Sequence, residues 1–402
     1  MSHLAATVRL SQRCLTLRSP NVLAHRDVYN ADHEMFRDAV RGFIKAEIAP
    51  HFDRWEKAGI VDRSYWQAGG AAGLLCPQVS EEYGGAGGDF KHNAIIIEEI
   101  SYAGFGGPMT DFSVHSDVCA GYLYSVGTEE QKRHWLPRMA RGETVCAIAM
   151  TEPGTGSDLQ GVKTRAVRDG DVYRITGSKT FISNGQHCDL VIVVARTSDA
   201  PGAKGMSLIL LETDRKGFQR GRKLDKLGYL SSDTSEMSFD EVEVPVSNLL
   251  GHEGGGFATL MTELPQERLA IALQSMGAAQ RALDITCEYV RNRKVFGSAV
   301  AEFQNTRFKL ADLKADILVG WAFVDQCLER HVRGQLTALD ASAAKLWCTE
   351  MHGRVVDQCL QLHGGYGFMR EYEICRLYAD ARIQRIYGGT SEIMRELISR
   401  SL

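Results

Sequence analysis

Glu267 stands in the run Thr262-Glu263-Leu264-Pro265-Gln266-Glu267-Arg268-Leu269, and far downstream the chain reads Arg385-Ile386-Tyr387-Gly388-Gly389-Thr390-Ser391-Glu392. A carboxylate withdrawn from water becomes a stronger base and can take a proton from carbon. Taken alone, Glu267 reads as an exposed helix residue paired with Arg268 or another basic group. Four further runs have residue types suited to a ligand. Ala149-Met150-Thr151-Glu152-Pro153-Gly154-Thr155-Gly156-Ser157-Asp158 mixes glycines, which let backbone approach a ligand, with hydroxyls and amide donors. Its plain alternative is a glycine-rich turn leaving a strand. Phe181-Ile182-Ser183-Asn184-Gly185 sets an aromatic two residues before a hydroxyl; in isolation a core Phe beside a turn Ser is the better reading. Asn292-Arg293-Lys294-Val295-Phe296-Gly297 with Gln304 offers a guanidinium that matches phosphate bidentately, or else a solvated basic helix end. Gln361-Leu362-His363-Gly364-Gly365-Tyr366-Gly367 contains a histidine, but no second His or carboxylate stands at ligand spacing. A structural imidazole is expected there and no metal.

Composition narrows the classes. The chain has 402 residues, 44% of them hydrophobic, enough for a large core and two or three domains. A net charge of -4 with both signs interspersed gives no basic footprint for nucleic acid. No apolar run approaches the roughly 20 residues of a membrane span. The ten cysteines include no CxxC pair and predict reduced thiols. No Rossmann fingerprint or Walker loop is present, which argues against nicotinamide or ATP chemistry. The Gly84–Gly88 loop reads as a structural turn. The first 26 residues lack acidic side chains and carry Arg9, Arg13, Arg18 and Arg26. That composition fits a mitochondrial transit peptide or an over-extended N-terminus on a bacterial protein. The end Arg400-Ser401-Leu402 is not the peroxisomal Ser-Lys-Leu.

The elements that must position these runs fall in three zones, after an N-terminal extension over 1–29. Residues 30–145 read as helical: Phe36, Val40, Phe43, Ile44 and Ile48 recur at helical spacing before Pro50, and Ile95–Ile97 and Ile100 mark another helix. Over 146–252 the period changes. Asp169-Gly170 predicts a hairpin before Val172, Tyr173 and Ile175; Leu190–Ala195 and Met206–Leu211 read as buried strands; Met237, Phe239, Val242 and Val244 lead to a strand end at Pro245. A small β-barrel or sandwich is expected. From 253 to 402 the chain is helical again; Pro265 is the last proline, and Leu310, Leu313, Ile317 and Trp321 form a stripe, which together predict a bundle of four or five helices.

These ordered motifs, from about residue 30 onward, resemble the flavin-dependent acyl-CoA dehydrogenases, and the Leu-Pro-Gln-Glu-Arg run resembles the long-chain type in particular. The resemblance implies a mixed α and β fold: an N-terminal helical domain, a middle β-barrel and a C-terminal four-helix bundle. Many members hold the catalytic Glu where this chain has Gly388; a smaller group holds it where Glu267 stands. The implied reaction is α,β-dehydrogenation of an acyl thioester, with Glu267 taking the α-proton while the β-hydrogen leaves as hydride to flavin N5. The Gly388 N–H is implied to donate to the thioester oxygen. Implied FAD contacts are Met150, Thr151, Gly156, Ser157, Phe181, Ile182, Ser183, Thr390, Ser391 and Glu392, with Arg293, Phe296, Gln304, Gln361, Gly364 and Gly365 reaching the FAD of a neighbouring subunit. Implied substrate contacts are Ser157, Pro265, Gln266, Arg268, Tyr387, Gly388 and Gly389. A homotetramer (dimer of dimers), acyl-CoA as substrate and electron-transferring flavoprotein as acceptor follow from the same resemblance. The compartment is the cytoplasm for a bacterial chain, or the mitochondrial matrix if the N-terminus is a transit peptide. Related chains often have Asp where Pro265 stands, so Pro265 is expected to open or kink its helix and widen the acyl pocket. Ala258 replaces a Tyr of the long-chain type. An oxygen-using oxidase of the same fold, a nitroalkane oxidase included, or a non-catalytic assembly factor, are the alternatives.

Overall fold

The computed structural model describes residues 26–402; the basic segment ahead of Arg26 lies outside the described residues. The chain begins with helices α1 (Ala31–Phe43), α2 (Phe52–Ala58), α3 (Arg63–Ala71), α4 (Phe90–Tyr102), α5 (Gly106–Ser113), α6 (Ala120–Val126) and α7 (Glu129–Ala140). The apolar stripe of α1 continues through a wider turn, Ile44–Ile48, and stops at the turn holding Pro50. A second π-type turn, Val114–Cys119, joins α5 to α6. Such turns insert a residue into the helical ladder and are frequent at functional sites.

Strands follow: β1 (Cys146–Ala149), β2 (Arg165–Asp169), β3 (Val172–Ser183), β4 (Leu190–Arg196), β5 (Met206–Glu212), β6 (Phe218–Lys223), β7 (Thr234–Pro245) and β8 (Leu249–Leu250). They form one sheet in the order β6-β7-β3-β2-β4-β5-β8, with β1 parallel to β4. The β2–β3 hairpin turns at Gly170, whose φ of +59° suits glycine. β2 and β4 pair only at Arg165–Arg196. The two halves of the sheet share a core of Ala166, Tyr173, Ile175, Val191, Val193 and Ile209, so the sheet folds over on itself. β4 is covered on both faces: Val191 and Val193 point into that core, while Ile192 and Val194 join the large core of the helices. This is why its sequence is an unbroken apolar run.

The chain ends in α8 (Gly256–Asn292), a small hairpin β9 (Lys294–Val295) and β10 (Ser298–Ala299), α9 (Gln304–Val332), α10 (Ala338–His363), α11 (Glu373–Ala381) and α12 (Ser391–Ser399). The expected order of helices, sheet and helical bundle holds. α8 runs on through Pro265 as one helix, so the proline does not end it. Proline leaves the carbonyl four residues earlier without its helical donor, and that residue, Met261, is exposed, so water can serve it. The nine cysteines among the described residues are all free thiols. No helix among the described residues is long and apolar enough to cross a membrane.

Candidate active site

α8 brings the two runs around Glu267 and Gly388 together. Ile271 lies one turn after Glu267, on the same face of α8. A Cβ placed on Gly388 would overlap Ile271 Cδ1 and lie 3.7 Å from Lys345 Cε. The space beside Gly388 is filled from α8 itself, one turn from the carboxylate that α8 carries. Gly388 and Gly389 have φ of +62° and +95°, the left-handed region that favours glycine. Two buried cations hold this diglycine: Lys345 Nζ donates to the Gly389 carbonyl (2.6 Å), and Arg268 Nε donates to that of Gly388 (3.4 Å). Burial pulls the Lys345 ammonium down to about 8, with Arg268 adding to the effect.

Glu267 faces α6. Tyr122 donates to Glu267 Oε1 at 2.8 Å, and the carboxylate takes part in no ion pair among the described residues. Burial pushes its pKa up to about 7; the Tyr122 hydrogen bond and Arg268 oppose the rise and Glu263 adds to it. Part of Glu267 still meets solvent, as a group that must receive a proton requires. Arg268 is buried and turned toward Gly388 and Ser342 (3.4 Å). Gln266, expected at the substrate, has its amide engaged at both ends: Nε2 donates to the Asp117 carbonyl (2.6 Å) and Oε1 lies 3.0 Å from His331 Nε2. It ties α8 to the π-type turn and to α9. Tyr387 donates to Gln274 Oε1 (3.0 Å), and Gln274 in turn donates to Thr110 Oγ1 (3.0 Å).

The glycine-rich run leaves β1 and is pinned underneath. Glu152 accepts from the Lys163 and Thr164 amides (2.7 and 2.9 Å) and from buried Lys179 (2.9 Å); Lys179 also donates to the Met150 carbonyl (2.9 Å). Above this anchor Gly156 and Ser157 are exposed, and a Cβ on Gly154 or Gly156 would meet nothing. The Thr180 amide donates to the Thr151 carbonyl (3.0 Å), which lays the Phe181 run beside this loop. The expectation that Phe181, taken alone, is a core residue is corrected. A bulge in the β3–β7 pairing between Lys179 and Ile182 gives Phe181 a φ of +59° and turns it outward, 66% exposed, while Ile182 is buried. Ser183 pairs with Thr234 at the end of β3.

The Arg293–Gln304 and Gln361–Gly365 segments do not join this site within one chain. At about 1.5 Å per residue, α8 carries the chain about 39 Å from Glu267 to Arg293. There Arg293 lies over the Tyr366 ring (5.6 Å), so the Arg293–Gln304 and Gln361–Gly365 segments form one exposed end of the bundle. Phe296, at φ +51° in the β9–β10 turn, is 98% exposed. Around Gly364 and Gly365 a Cβ would meet nothing. His363 stacks on Tyr289 and its Nδ1–H donates to the Cys359 carbonyl (2.9 Å). Thr390 caps α12 through the Ile393 amide (3.3 Å), Ser391 is buried with its hydroxyl donating to Glu350 Oε1 (2.7 Å), and Glu392 is exposed. Sequence reasoning missed Tyr122, Lys345, Thr110 and Gln274. None lies within a recognisable run, and only the meeting of α5, α6, α8 and α10 brings them to the site.

Three family models match consecutive parts of the chain: the acyl-CoA dehydrogenase N-terminal domain over residues 30–143, the middle domain over 147–242 and the C-terminal domain over 254–402. The chain belongs to the acyl-CoA dehydrogenase family. It is 48% identical over 380 residues to the mitochondrial long-chain specific acyl-CoA dehydrogenase of Sus scrofa, covering 94% of this chain and 88% of that protein. Its fold matches the crystal structure of an acyl-CoA dehydrogenase from Geobacillus kaustophilus with a TM-score of 0.92 at 45% identity, covering 94% of this chain and 99% of that one. A glutaryl-CoA dehydrogenase from Mycobacterium smegmatis, solved in complex with FADH2, matches with a TM-score of 0.86 at 27% identity, covering 93% and 95%. The mixed α and β class and the oxidoreductase assignment both follow from this membership.

Proposed function

We propose that this chain carries out FAD-dependent α,β-dehydrogenation of a long-chain acyl-CoA, with Glu267 as the base that takes the α-proton. The observation that carries this reading is the meeting of α8 with Gly388: Ile271 packs against Gly388, and one helical turn before it stands Glu267, buried enough to hold its pKa near 7. Tyr122 occupies Oε1, which leaves Oε2 to accept the proton. A base whose pKa lies near the working pH is both ionised and avid for protons. Lys345 and Arg268 fix the diglycine carbonyls, so the Gly388 N–H is held in place to donate to the thioester oxygen as charge develops there. Tyr387 and Gln274 support that loop from below.

The residues present fit FAD. Bound FAD supplies the acceptor for the β-hydride. Met150, Thr151, Ile182 and Ser183 would hold its ring, Phe181 would screen the reacting carbons from water, and Gly156 and Ser157, exposed above the Glu152 anchor, would offer an open backbone and hydroxyl to the diphosphate, with Ser157 also available to acyl-CoA. Thr390 and Glu392 complete the contacts; Ser391 acts through its neighbours, because its hydroxyl is taken by Glu350. The distance from Glu267 to Arg293 supports assigning Arg293, Phe296, Gln304, Gln361, Gly364 and Gly365 to the FAD of a second subunit. The exposed Phe296 and Phe368 at that end support burial in an oligomer, proposed as a homotetramer. Electron-transferring flavoprotein is the proposed acceptor, and fatty-acid β-oxidation the proposed setting. The compartment is the mitochondrial matrix if the basic N-terminus acts as a transit peptide, and the cytoplasm in a bacterium.

Anaerobic mixing of the purified protein with a panel from butyryl-CoA to stearoyl-CoA tests the reading. The flavin absorbance should bleach, fastest with long chains. A protein that cannot be loaded with flavin, or a flavin that no acyl-CoA bleaches, overturns it.

A further inference from the structure

A second carboxylate accompanies Glu267. Glu263 and Glu267 are four residues apart on α8, and Tyr122 and Ser125 are three apart on α6; both spacings place a pair on one helical face. The two faces meet with hydroxyls against carboxylates. Tyr122 donates to Glu267 Oε1 (2.8 Å), and Ser125 Oγ donates to Glu263 Oε1 (2.7 Å). Gly121 allows this approach: a Cβ there would stand 3.3 Å from Gln266 Nε2 and 3.8 Å from Glu263 Oε2. Side chains at this helical spacing are about 5–6 Å apart at Cβ, and like charges so placed repel. Glu263, like Glu267, enters no ion pair among the described residues.

We propose that Glu263, fixed by Ser125, is a positioning residue whose charge makes Glu267 a stronger base, in opposition to the Tyr122 hydroxyl, which makes it a weaker one. The inference rests on Glu267 being the base. Burial, opposed by the Ser125 hydrogen bond, also raises the Glu263 carboxyl above its ordinary range. The other titratable or charged groups against them are few. Arg268 is on the same helix, with Lys345 of α10 beyond it; Cys119 comes from the π-type turn; Asp117 and His331 of α9 are reached through Gln266. Burial holds Asp117 up at about 7 and His331 down at about 4. Of these groups Glu263 is the one carboxylate on the Glu267 face of α8.

The signs are opposite for the two neighbours. Abstraction needs ionised Glu267, so kcat/KM falls on the acid side of its pKa. Glu263→Gln keeps an acceptor for Ser125 and removes the charge; it should move the acid limb to lower pH by about half a unit or more, a threefold change in proton affinity. Tyr122→Phe removes a donor to the carboxylate and should move the limb to higher pH. Ser125→Ala, an exposed change that leaves the fold intact, should move it in the Glu263→Gln direction by less. The readout is the pH profile of anaerobic flavin reduction by the full holoenzyme with palmitoyl-CoA, with Glu267→Gln as a control. Opposed shifts with an inactive control bear the proposal out. A Glu263→Gln profile that coincides with wild type, beside an inactive control, overturns the role of Glu263 and leaves the base assignment standing. A control that reduces flavin at the normal rate overturns both.

Discussion

Glu267→Gln should make the protein more stable while disabling it, and the gain should depend on pH in a defined way. Glutamine keeps the Tyr122 bond to Oε1 but has no proton to lose. In the wild type, burial holds the folded-state pKa near 7 against an ordinary value of 4.5. A carboxyl with a raised folded-state pKa stabilises the fold fully below the unfolded value, while protonated in both states. That stability is lost as pH rises from about 4.5 through 7, because the folded protein must then ionise a group it disfavours. At about 1.36 kcal/mol per unit, the loss is about 3 kcal/mol by pH 8. A chain of 402 residues with an unfolding entropy of about 2.1 cal/mol/K per residue converts this to about 4 °C. The melting temperature of the variant should therefore nearly match wild type at pH 5 and exceed it by about 4 °C at pH 8, read by scanning fluorimetry in matched buffers. Flavin reduction by acyl-CoA should fall at least about 10²-fold, the low end for removal of a general base. A difference that stays constant from pH 5 to pH 8 would refute the raised pKa. Near-normal reduction would refute the base.

The diglycine yields a second test, because Ile271 fills the place where a Gly388 side chain would go. In a Glu267→Ala background, Gly388→Glu should restore little activity: the backbone at φ +62° costs a non-glycine residue about 1–3 kcal/mol and Ile271 Cδ1 is in the way. Adding Ile271→Val deletes that atom for about 0.5–1.5 kcal/mol and should raise flavin reduction at least about tenfold over the double variant; no gain would show that Ile271 is not what bars the alternative position. Arg293→Ala should weaken FAD retention in the neighbouring subunit's site, by about 1.5–3 kcal/mol if a charge-assisted hydrogen bond is lost. Mixed oligomers of Arg293→Ala and Glu267→Gln chains check this: some sites should combine a sound base with a sound neighbour and turn over, and FAD loss confined to the subunit carrying the Arg293 change would count against the shared site.

How far the sequence could be read depended on whether a residue's partners are near it in the chain. The change of period at β1, the hairpin at Gly170, the double-sided burial of β4 and the long helices after Pro265 are local patterns, and all appear in the fold. Pro265 does not end α8, and the residue one turn earlier, Met261, is exposed. The environment of Glu267 was not legible, because Tyr122 reaches it across 145 positions of sequence and nothing in the run around Tyr122 marks it. Ser391 and Gln266 show the converse: each lies within an informative motif, yet its polar atoms are taken by Glu350, or by Asp117 and His331, from other elements. Phe181 and Phe296 are the most instructive. Both adopt positive φ, both are exposed, and neither repays that arrangement within one chain. Water-facing aromatics on strained backbone are unfavourable unless something covers them. Phe181 borders the loop proposed for the flavin, and Phe296 lies past the far end of α8, in the turn that follows Arg293. The same physical reasoning therefore points to two different covers, a bound cofactor for Phe181 and a second subunit for Phe296. In the proposed tetramer the site would then combine Glu267 of one chain with Arg293 of another.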